Sequence, residues 1–325
     1  MWTGHWLLRG AVLLAGLYLL AAAQAVAGAA DKRCLYVSSY HLGYEWNDGI
    51  ERGMDSVLRG HCEVRRFYMD TKRHPEPAWA EAKALEALAL IDRFKPDVLL
   101  AADDNASKYL VMPHFRDAAL PVVFCGLNWT VSEYGYPWRN ATGMVEVAPL
   151  QPLLRQVRRI LPTAHRALFL SADVATERKD FEHYRRIFSR RGVALSARLV
   201  NSLADWKRAY REGQAYDFIM LNNNAGIRDW DAAEASRFVL DRGRTLSVST
   251  YAWMVPYVAL AITKAPEEQG EWMARVALSI LGGLSPTDIP IIPNRRWEAW
   301  VNTAIVRRQQ LELPHSLLLK AREYP

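Results

Sequence analysis

The sequence has few cysteines and lacks the short motifs of the common enzyme classes. Three cysteines in 325 residues exclude a disulfide-dense scaffold, in which many bridges replace a hydrophobic core. The chain contains no HExxH pair, phosphate-binding glycine loop, nucleophile elbow or CxxC pair, and its 8 histidines are scattered singly. These absences predict a protein that is not an enzyme and has neither a metal site nor a cofactor.

Long hydrophobic runs are also rare, and the one that occurs lies at the amino terminus. Arg9 precedes an apolar stretch over residues 10–23, and Ala25–Ala27 has the small-x-small pattern of a cleavage site. This pattern predicts a signal peptide over residues 1–30, cut after Ala27 or Ala30, and export to the periplasm. An uncleaved membrane anchor is the alternative, because the stretch approaches the roughly 20 residues that span a bilayer.

The excess of positive over negative charge is small. Lys and Arg outnumber Asp and Glu by 41 to 35, which gives a formal net charge of +6. Charges of both signs alternate in segments such as ERKDFEHYRRIFSRRG (177–192), a pattern typical of a solvated helix face. The composition therefore predicts that the protein has no nucleic-acid partner.

Buried strands and amphipathic helices alternate after the signal with short connections, which predicts βαβ units and parallel sheets. Strands are predicted at 35–39, 64–69, 97–102, 121–125 and 141–147, and a second series at 167–171, 195–200, 217–221 and 246–250. Two successive series of similar length predict an α/β protein with two Rossmann-like lobes.

The lobes are expected to exchange chain segments. We assign residues 31–146 and 287–325 to the first lobe and residues 147–286 to the second. Two prolines exclude the segment IPIIP (289–293) from a central strand, so we interpret it as a crossover that brings a helix at 297–310 to the first lobe. Several crossovers form a hinge, the geometry of closure around a ligand.

The cysteine positions predict one bridge. Cys34 begins the first strand and Cys62 precedes the second. Neighbouring parallel strands lie about 4.8 Å apart, within the Cα separation that a disulfide tolerates. In an oxidising periplasm we therefore expect a Cys34–Cys62 disulfide. Cys125 ends an apolar strand and is interpreted as a buried thiol.

Polar and aromatic side chains follow the predicted strands directly, and ligands of open parallel sheets bind outside the carboxyl ends of the strands. The predicted ligand contacts in the first lobe are Ser39, Tyr40, His41, Asp103, Asp104, Asn105, Gly126, Asn128 and Trp129. Those in the second lobe are Ser171, Asp173, Asn222, Asn223, Asn224, Thr250 and Tyr251.

The run Asp103–Asn105 stands before a predicted helix, so one of its side chains is expected to cap that helix. A remaining carboxylate could pair with an ammonium group, and the N–H groups of the helix start attract an anion. Together these would suit a zwitterion such as an amino acid, and the aromatic residues favour a ring or an apolar body. Ordinary turn and cap chemistry is the alternative interpretation of the same residues.

Several segments resemble solute-binding proteins of ABC transporters with the type I periplasmic-binding-protein fold, in the branch that includes putative amino-acid receptors. They are SYHLGYEWNDGIERGM (39–54), ADDNASKYLV (102–111), PVVFCGLNW (121–129), TGMVEV (142–147) and EEQGEWMARVALSILGG (267–283). The resemblance implies a monomer that holds a small-molecule solute between its lobes and passes it to an ABC permease in the inner membrane. A ligand sensor that presents its solute to a separate signalling partner is the alternative function.

Overall fold

The computed structural model describes residues 32–325, so the predicted signal peptide lies outside the described residues. The chain divides into two compact units. The first contains the described residues up to Val147 and the segment Pro266–Asn294, and the second contains Ala148–Ala265 and Arg295–Pro325. Among the described helices, none has both the length and the apolar character needed to cross a bilayer.

A six-stranded parallel sheet forms the centre of the first unit. Its strands are β1 (Arg33–Ser38), β2 (Glu63–Tyr68), β3 (Val98–Ala102), β4 (Val122–Asn128), β5 (Ala141–Glu146) and β11 (Ile292–Pro293). They lie in the order β11-β5-β4-β3-β1-β2. The five long strands match the prediction, and the proline-containing β11 lies at the sheet edge, where a missing N–H is tolerated.

Helices cover both faces of this sheet. Successive residues of each strand point to opposite faces, so each strand contributes apolar side chains to both helix layers. The helices are α1 (Glu45–Leu58), α2 (Pro77–Phe94), α3 (103–114) and α8 (Pro266–Leu281). Helix α3 consists of three consecutive helical turns, Asp103–Asn105, Ala106–Val111 and Met112–His114. In β1, Leu35 and Val37 pack on the side of α2 and α3. Cys34 and Tyr36 pack on the side of α1 and α8.

Helices α1 and α8 touch backbone to backbone through glycines. A Cβ atom added to Gly270 would lie 1.8 Å from the carbonyl oxygen of Ile50 and 2.7 Å from the backbone nitrogen of Met54. One added to Gly53 would lie 2.2 Å from the carbonyl oxygen of Glu267. Only glycine permits this approach, and it fixes α8 to the first unit.

The predicted placement of the tail was therefore wrong in two respects. Residues 266–286 belong to the first unit and not to the second, because α8 packs against α1. Residues 297–325 belong to the second unit, and the predicted helix 297–310 begins as a strand, β12 (Trp297–Asn302), before α9 (Thr303–Gln309). The chain thus crosses between the units after Val147, Ala265 and Asn294.

The second unit contains a seven-stranded sheet in the order β13-β12-β10-β9-β8-β6-β7. Its strands are β6 (Arg166–Ala172), β7 (Ala194–Val200), β8 (Phe218–Leu221), β9 (Leu246–Ser249), β10 (Leu260–Lys264), β12 and β13 (Arg322–Tyr324). All neighbours pair in parallel except β10 and β12. Its helices are α4 (Leu150–Ile160), α5 (Ala175–Ser189), α6 (Leu203–Gly213), α7 (Ala232–Arg242), α9 and α10 (His315–Leu318).

The predicted disulfide is confirmed. Cys34 and Cys62 are joined, with their Cα atoms 6.0 Å apart. The bridge ties the start of β1 to the residue that precedes β2. Cys125 is a free, buried thiol, as expected.

We expect Gly270→Ala to destabilise the protein by about 2 kcal/mol or more, because its methyl group must push two helix backbones apart. Urea unfolding followed by circular dichroism measures the effect. Gly282→Ala is the matched control, since the nearest atoms to its added Cβ lie at 3.4 Å. A Gly270→Ala protein as stable as the control would contradict the close helix contact.

Candidate functional site

The carboxyl ends of five neighbouring strands in the first sheet bring together residues that are distant in sequence. Glu146 is the last residue of β5, Asn128 the last of β4, Asp103 follows β3, Ser39 follows β1, and Thr71 lies beyond β2. Ligands of open parallel sheets bind at this edge. We refer to this group of strand ends as the first-unit edge.

Asp103 is the most constrained residue of the first-unit edge. It is 2% exposed and adopts a left-handed backbone conformation with φ +69°. Its Oδ1 accepts a hydrogen bond from Trp46 Nε1 at 3.1 Å, and its Oδ2 accepts one from Asn47 Nδ2 at 2.7 Å. Such strain persists only where surrounding contacts hold the residue in place.

Gly126 makes room for the Asp103 carboxylate. It lies where the pairing of β4 with β5 shifts register, with φ +72°. A Cβ atom at this position would lie 2.6 Å from Asp103 Oδ1. Its backbone N–H donates to Oε1 of the buried Gln269 of α8 at 3.1 Å. Gly126, which the sequence predicted as a ligand contact, therefore lies against the Asp103 side chain.

Burial raises the pKa of Asp103 to about 8, and the nearby Glu146 and Asp104 act in the same direction. The hydrogen bonds from Asn47 and Trp46 lower the pKa, but by less than burial raises it. At neutral pH the carboxyl group of Asp103 is therefore largely protonated.

Asp104 links the ends of β3 and β4. Its Oδ2 accepts a hydrogen bond from Asn128 Nδ2 at 2.6 Å, and its Oδ1 accepts one from the Tyr134 hydroxyl at 2.5 Å. Asn128 is exposed, so this pair faces solvent. The neighbouring Asn105 instead points across the sheet, where its Nδ2 donates to Thr71 Oγ1 at 2.7 Å.

Ser39 has a structural role in the described residues. It is fully buried, its Oγ donates to the Ala102 carbonyl at 2.6 Å and accepts from the Ala106 N–H at 2.8 Å. The expectation that a side chain of Asp103–Asn105 caps α3 was wrong, because Ser39, which follows β1, accepts the hydrogen bond from the Ala106 N–H. The π-helical turn Ala106–Val111 follows, a feature frequent at functional sites.

Aromatic rings stand beside these polar groups. The rings of Tyr40 and Tyr44 meet edge to face at 5.0 Å. Lys72 Nζ lies 4.8 Å from the centre of the Tyr40 ring and 5.3 Å from that of Tyr44. His41 Nδ1 lies 3.5 Å from Asp70 Oδ1. Trp129, half-buried with φ +64°, continues the edge beyond Asn128.

Three of the predicted residues of the second unit surround a carboxylate that the sequence analysis missed. Glu177 is 1% exposed. Its Oε2 accepts from Ser171 Oγ and Asn222 Nδ2, each at 2.6 Å, and its Oε1 accepts from Asn223 Nδ2 at 3.0 Å. Burial raises the pKa of Glu177, and the three hydrogen bonds oppose it. In the sequence, Glu177 is one of many charges in a charged helix, and no local signal distinguishes it.

Other predicted residues of the second unit have separate partners. Asp173 accepts a hydrogen bond from Arg178 Nε at 2.7 Å. The Thr250 hydroxyl and the Tyr184 hydroxyl lie 3.0 Å apart in the interior. Asn224 accepts the Ile227 N–H through its backbone carbonyl at 3.0 Å. These residues do not form one cluster with Glu177.

Tyr251 belongs to an aromatic pair at the end of β9. Its ring stacks on Trp253 with centroids 4.4 Å apart, and its hydroxyl donates to Asp180 Oδ2 at 3.1 Å. Trp253 is 45% exposed, so the pair presents a flat apolar surface to solvent.

Within residues 32–325, no three His, Cys, Asp or Glu side chains are grouped closely enough to hold a metal ion.

We expect the free energy of unfolding to decrease as the pH rises from about 4 to 8. The folded protein keeps a proton on Asp103 in this range, whereas the unfolded chain, with a carboxyl pKa near 4, releases it. Asp103→Asn should flatten this dependence in urea unfolding at a series of pH values. Asp92→Asn, at an 80% exposed position, serves as the control. An unchanged slope in Asp103→Asn would contradict the raised pKa.

No protein-family model matches the sequence, and no curated protein sequence matches it either. Solved structures do match. One is a ligand-free, open substrate-binding protein with adhesive properties from Clostridium difficile, with a TM-score of 0.71 and 12% identity over 90% of this chain and 99% of that one. Another is a conserved domain protein from Vibrio cholerae, with a TM-score of 0.63 and 16% identity over the same shares.

A third match is an ABC domain in complex with L-Trp from Streptococcus pneumonia, with a TM-score of 0.58 and 14% identity, over 90% of this chain and 99% of that one. At these identities the likeness concerns the fold. The two units with parallel-dominated sheets and flanking helices have the type I periplasmic-binding-protein fold, as the sequence predicted.

Proposed function

We propose that this protein is the solute-binding component of an ABC importer and captures a small organic solute with an ammonium group and an aromatic or apolar body. The observation that carries the proposal is the first-unit edge, where carboxyl, amide and aromatic side chains from five strands converge. Solute-binding proteins of the same fold provide the context, since solved examples bind D-fucose and 5-methylthioribose.

The charge of the first-unit edge supports a cationic group on the solute. Asp103, Asp104 and Glu146 lie at neighbouring strand ends, and the negative charges of Glu146 and Asp104 raise the proton affinity of Asp103. An ammonium group placed there would offset this repulsion, whereas a phosphate would add to it. The exposed Asn128 offers a donor and an acceptor for a second polar group of the solute.

Aromatic groups support a ring or an apolar body. Tyr40 and Trp129 flank the polar groups of the first-unit edge, and the second unit exposes the stacked pair of Tyr251 and Trp253. Flat side chains of this kind stack on planar ligands. A solute with an ammonium group and a ring would satisfy both requirements. The ABC domain of similar fold that was solved in complex with L-Trp binds a ligand of this class.

The proposed location is the periplasm, supported by the signal-like amino terminus and by the Cys34–Cys62 disulfide, because disulfides persist in oxidising compartments. The proposed mode of action is capture without chemical change by a monomer whose two lobes close about a hinge. Transfer to an inner-membrane permease would follow when the lobes open.

A thermal-shift screen of amino acids, aromatic amines, sugars and aromatic acids tests the proposal. Ammonium-bearing aromatic solutes should raise the melting temperature by mass action, with a stabilisation of about 2.7 kcal/mol at 100 times the Kd. Asp104→Asn and Asn128→Ala should reduce affinity about tenfold or more, since each removes a polar contact of the solute. The exposed Asp92→Asn, which removes the same charge elsewhere, should bind normally.

Stabilisation only by sugars or anions would contradict the proposed solute class. Normal affinity in both Asp104→Asn and Asn128→Ala would show that the solute binds elsewhere. Mass spectrometry of the solute recovered from the complex provides the check on chemistry, because a converted solute would contradict a pure binding function.

A further inference from the structure

A cavity lies within the second unit, between α4, β12 and the chain segment 316–320. Its volume is about 320 Å³, within the range of small-molecule pockets. Trp297, which lines it, pairs with Lys264 at the end of β10, but none of the lining residues is among those of the candidate site described above. That site therefore does not include the cavity.

Positive charge dominates the lining of this cavity. Arg155 and Arg159 lie one helical turn apart on α4, where residues i and i+4 share a face, and Lys320 also lines the cavity. In the part of the chain that the structure describes, none of these three cations has an ion-pair partner, and no acidic side chain lines the cavity. Cations that converge without acidic partners attract an anion.

The side chain of Gln156 provides an independent indication of a ligand. Gln156 lines the same cavity but is 8% exposed, and its Oε1 has no hydrogen-bond partner among the described residues. A buried, unpaired polar atom is unfavourable. A ligand with an O–H or N–H group would satisfy this oxygen.

Apolar groups complete the lining. Trp297 is half-buried at the start of β12, and Leu317 is buried on α10. The indole ring offers a flat face to a planar group. The cavity thus combines cationic, hydrogen-bonding and aromatic groups within one unit.

We propose that this cavity is a second binding site, for a small planar organic anion that carries a phosphate monoester or a carboxylate together with an O–H or N–H group. The guanidinium groups of Arg155 and Arg159 bind the anionic oxygens, with Lys320 as a third cation. Gln156 accepts the hydrogen bond, and the planar body of the ligand lies against Trp297.

Titration with phenyl phosphate, followed by NMR of the tryptophan indole N–H signals, tests this proposal. Trp297→Phe identifies the signal of Trp297. Phenyl phosphate should shift that signal saturably below about 10 mM, inorganic phosphate should bind more weakly because it cannot stack, and neutral phenol should give no saturable shift.

The matched variants lie on one helix. The double variant Arg155→Gln/Arg159→Gln should weaken phenyl phosphate binding about tenfold or more. Arg158→Gln, which removes an exposed cation of α4 that does not line the cavity, should stay within about twofold. Asp104→Asn should also bind phenyl phosphate normally, which separates this site from the first-unit edge.

The proposal is overturned if phenyl phosphate produces no saturable shift of the Trp297 signal, or if phenol shifts it equally. It is also overturned if Arg158→Gln weakens binding as much as the double variant, because the effect would then reflect net charge alone. Circular dichroism of each variant confirms that the fold is retained.

Discussion

The burial of the Asp103 carboxyl group is the constraint on which the first unit depends. This group is removed from water and held by the side chains of Trp46 and Asn47 from α1. Space for it exists because Gly126 has no side chain, and α8 supplies Gln269 to pair the Gly126 N–H. Contacts around this one polar group therefore connect α1, α8 and the ends of β3 and β4.

The second unit also contains a buried carboxyl group, which is held by different residues. Glu177 is buried, and three amide or hydroxyl groups from the ends of β6 and β8 donate to it. In both units a buried carboxyl group organises the loops at the carboxyl ends of the strands, because unpaired donors in the interior are unfavourable. The loops at these strand ends are thus held by polar contacts beneath them.

Local pattern predicted most of the strands, because short apolar runs are properties of short windows of sequence. The carboxyl-terminal part of the chain shows the limit of prediction from local pattern. The segment 297–302 was predicted as part of a helix, yet it pairs with β10 as an antiparallel strand. The segment 266–281 was assigned to the second lobe but belongs to the first unit, since the helix α1 that it packs against lies more than 200 residues earlier.

Within the candidate site, the sequence identified the strand ends, but it did not show which of their residues are buried and structural and which face solvent. Ser39 was predicted as a ligand contact, yet it is buried and caps α3, and Gly126 gives room to Asp103. Glu177 was missed altogether. These roles depend on atoms that approach from other strands and helices, which no spacing along the chain records.

The sequence by itself determined the fold class, the two α/β series, the Cys34–Cys62 pair and the edges of the sheets at which polar residues collect, because each follows from neighbours in the chain or from adjacent strands. The tertiary structure alone decided which unit receives α8 and β12, which carboxyl groups are buried, and that cations from α4 and the segment 316–320 surround one cavity. The physical reason is that burial, and with it proton affinity and hydrogen bonding, arises only when distant segments pack together.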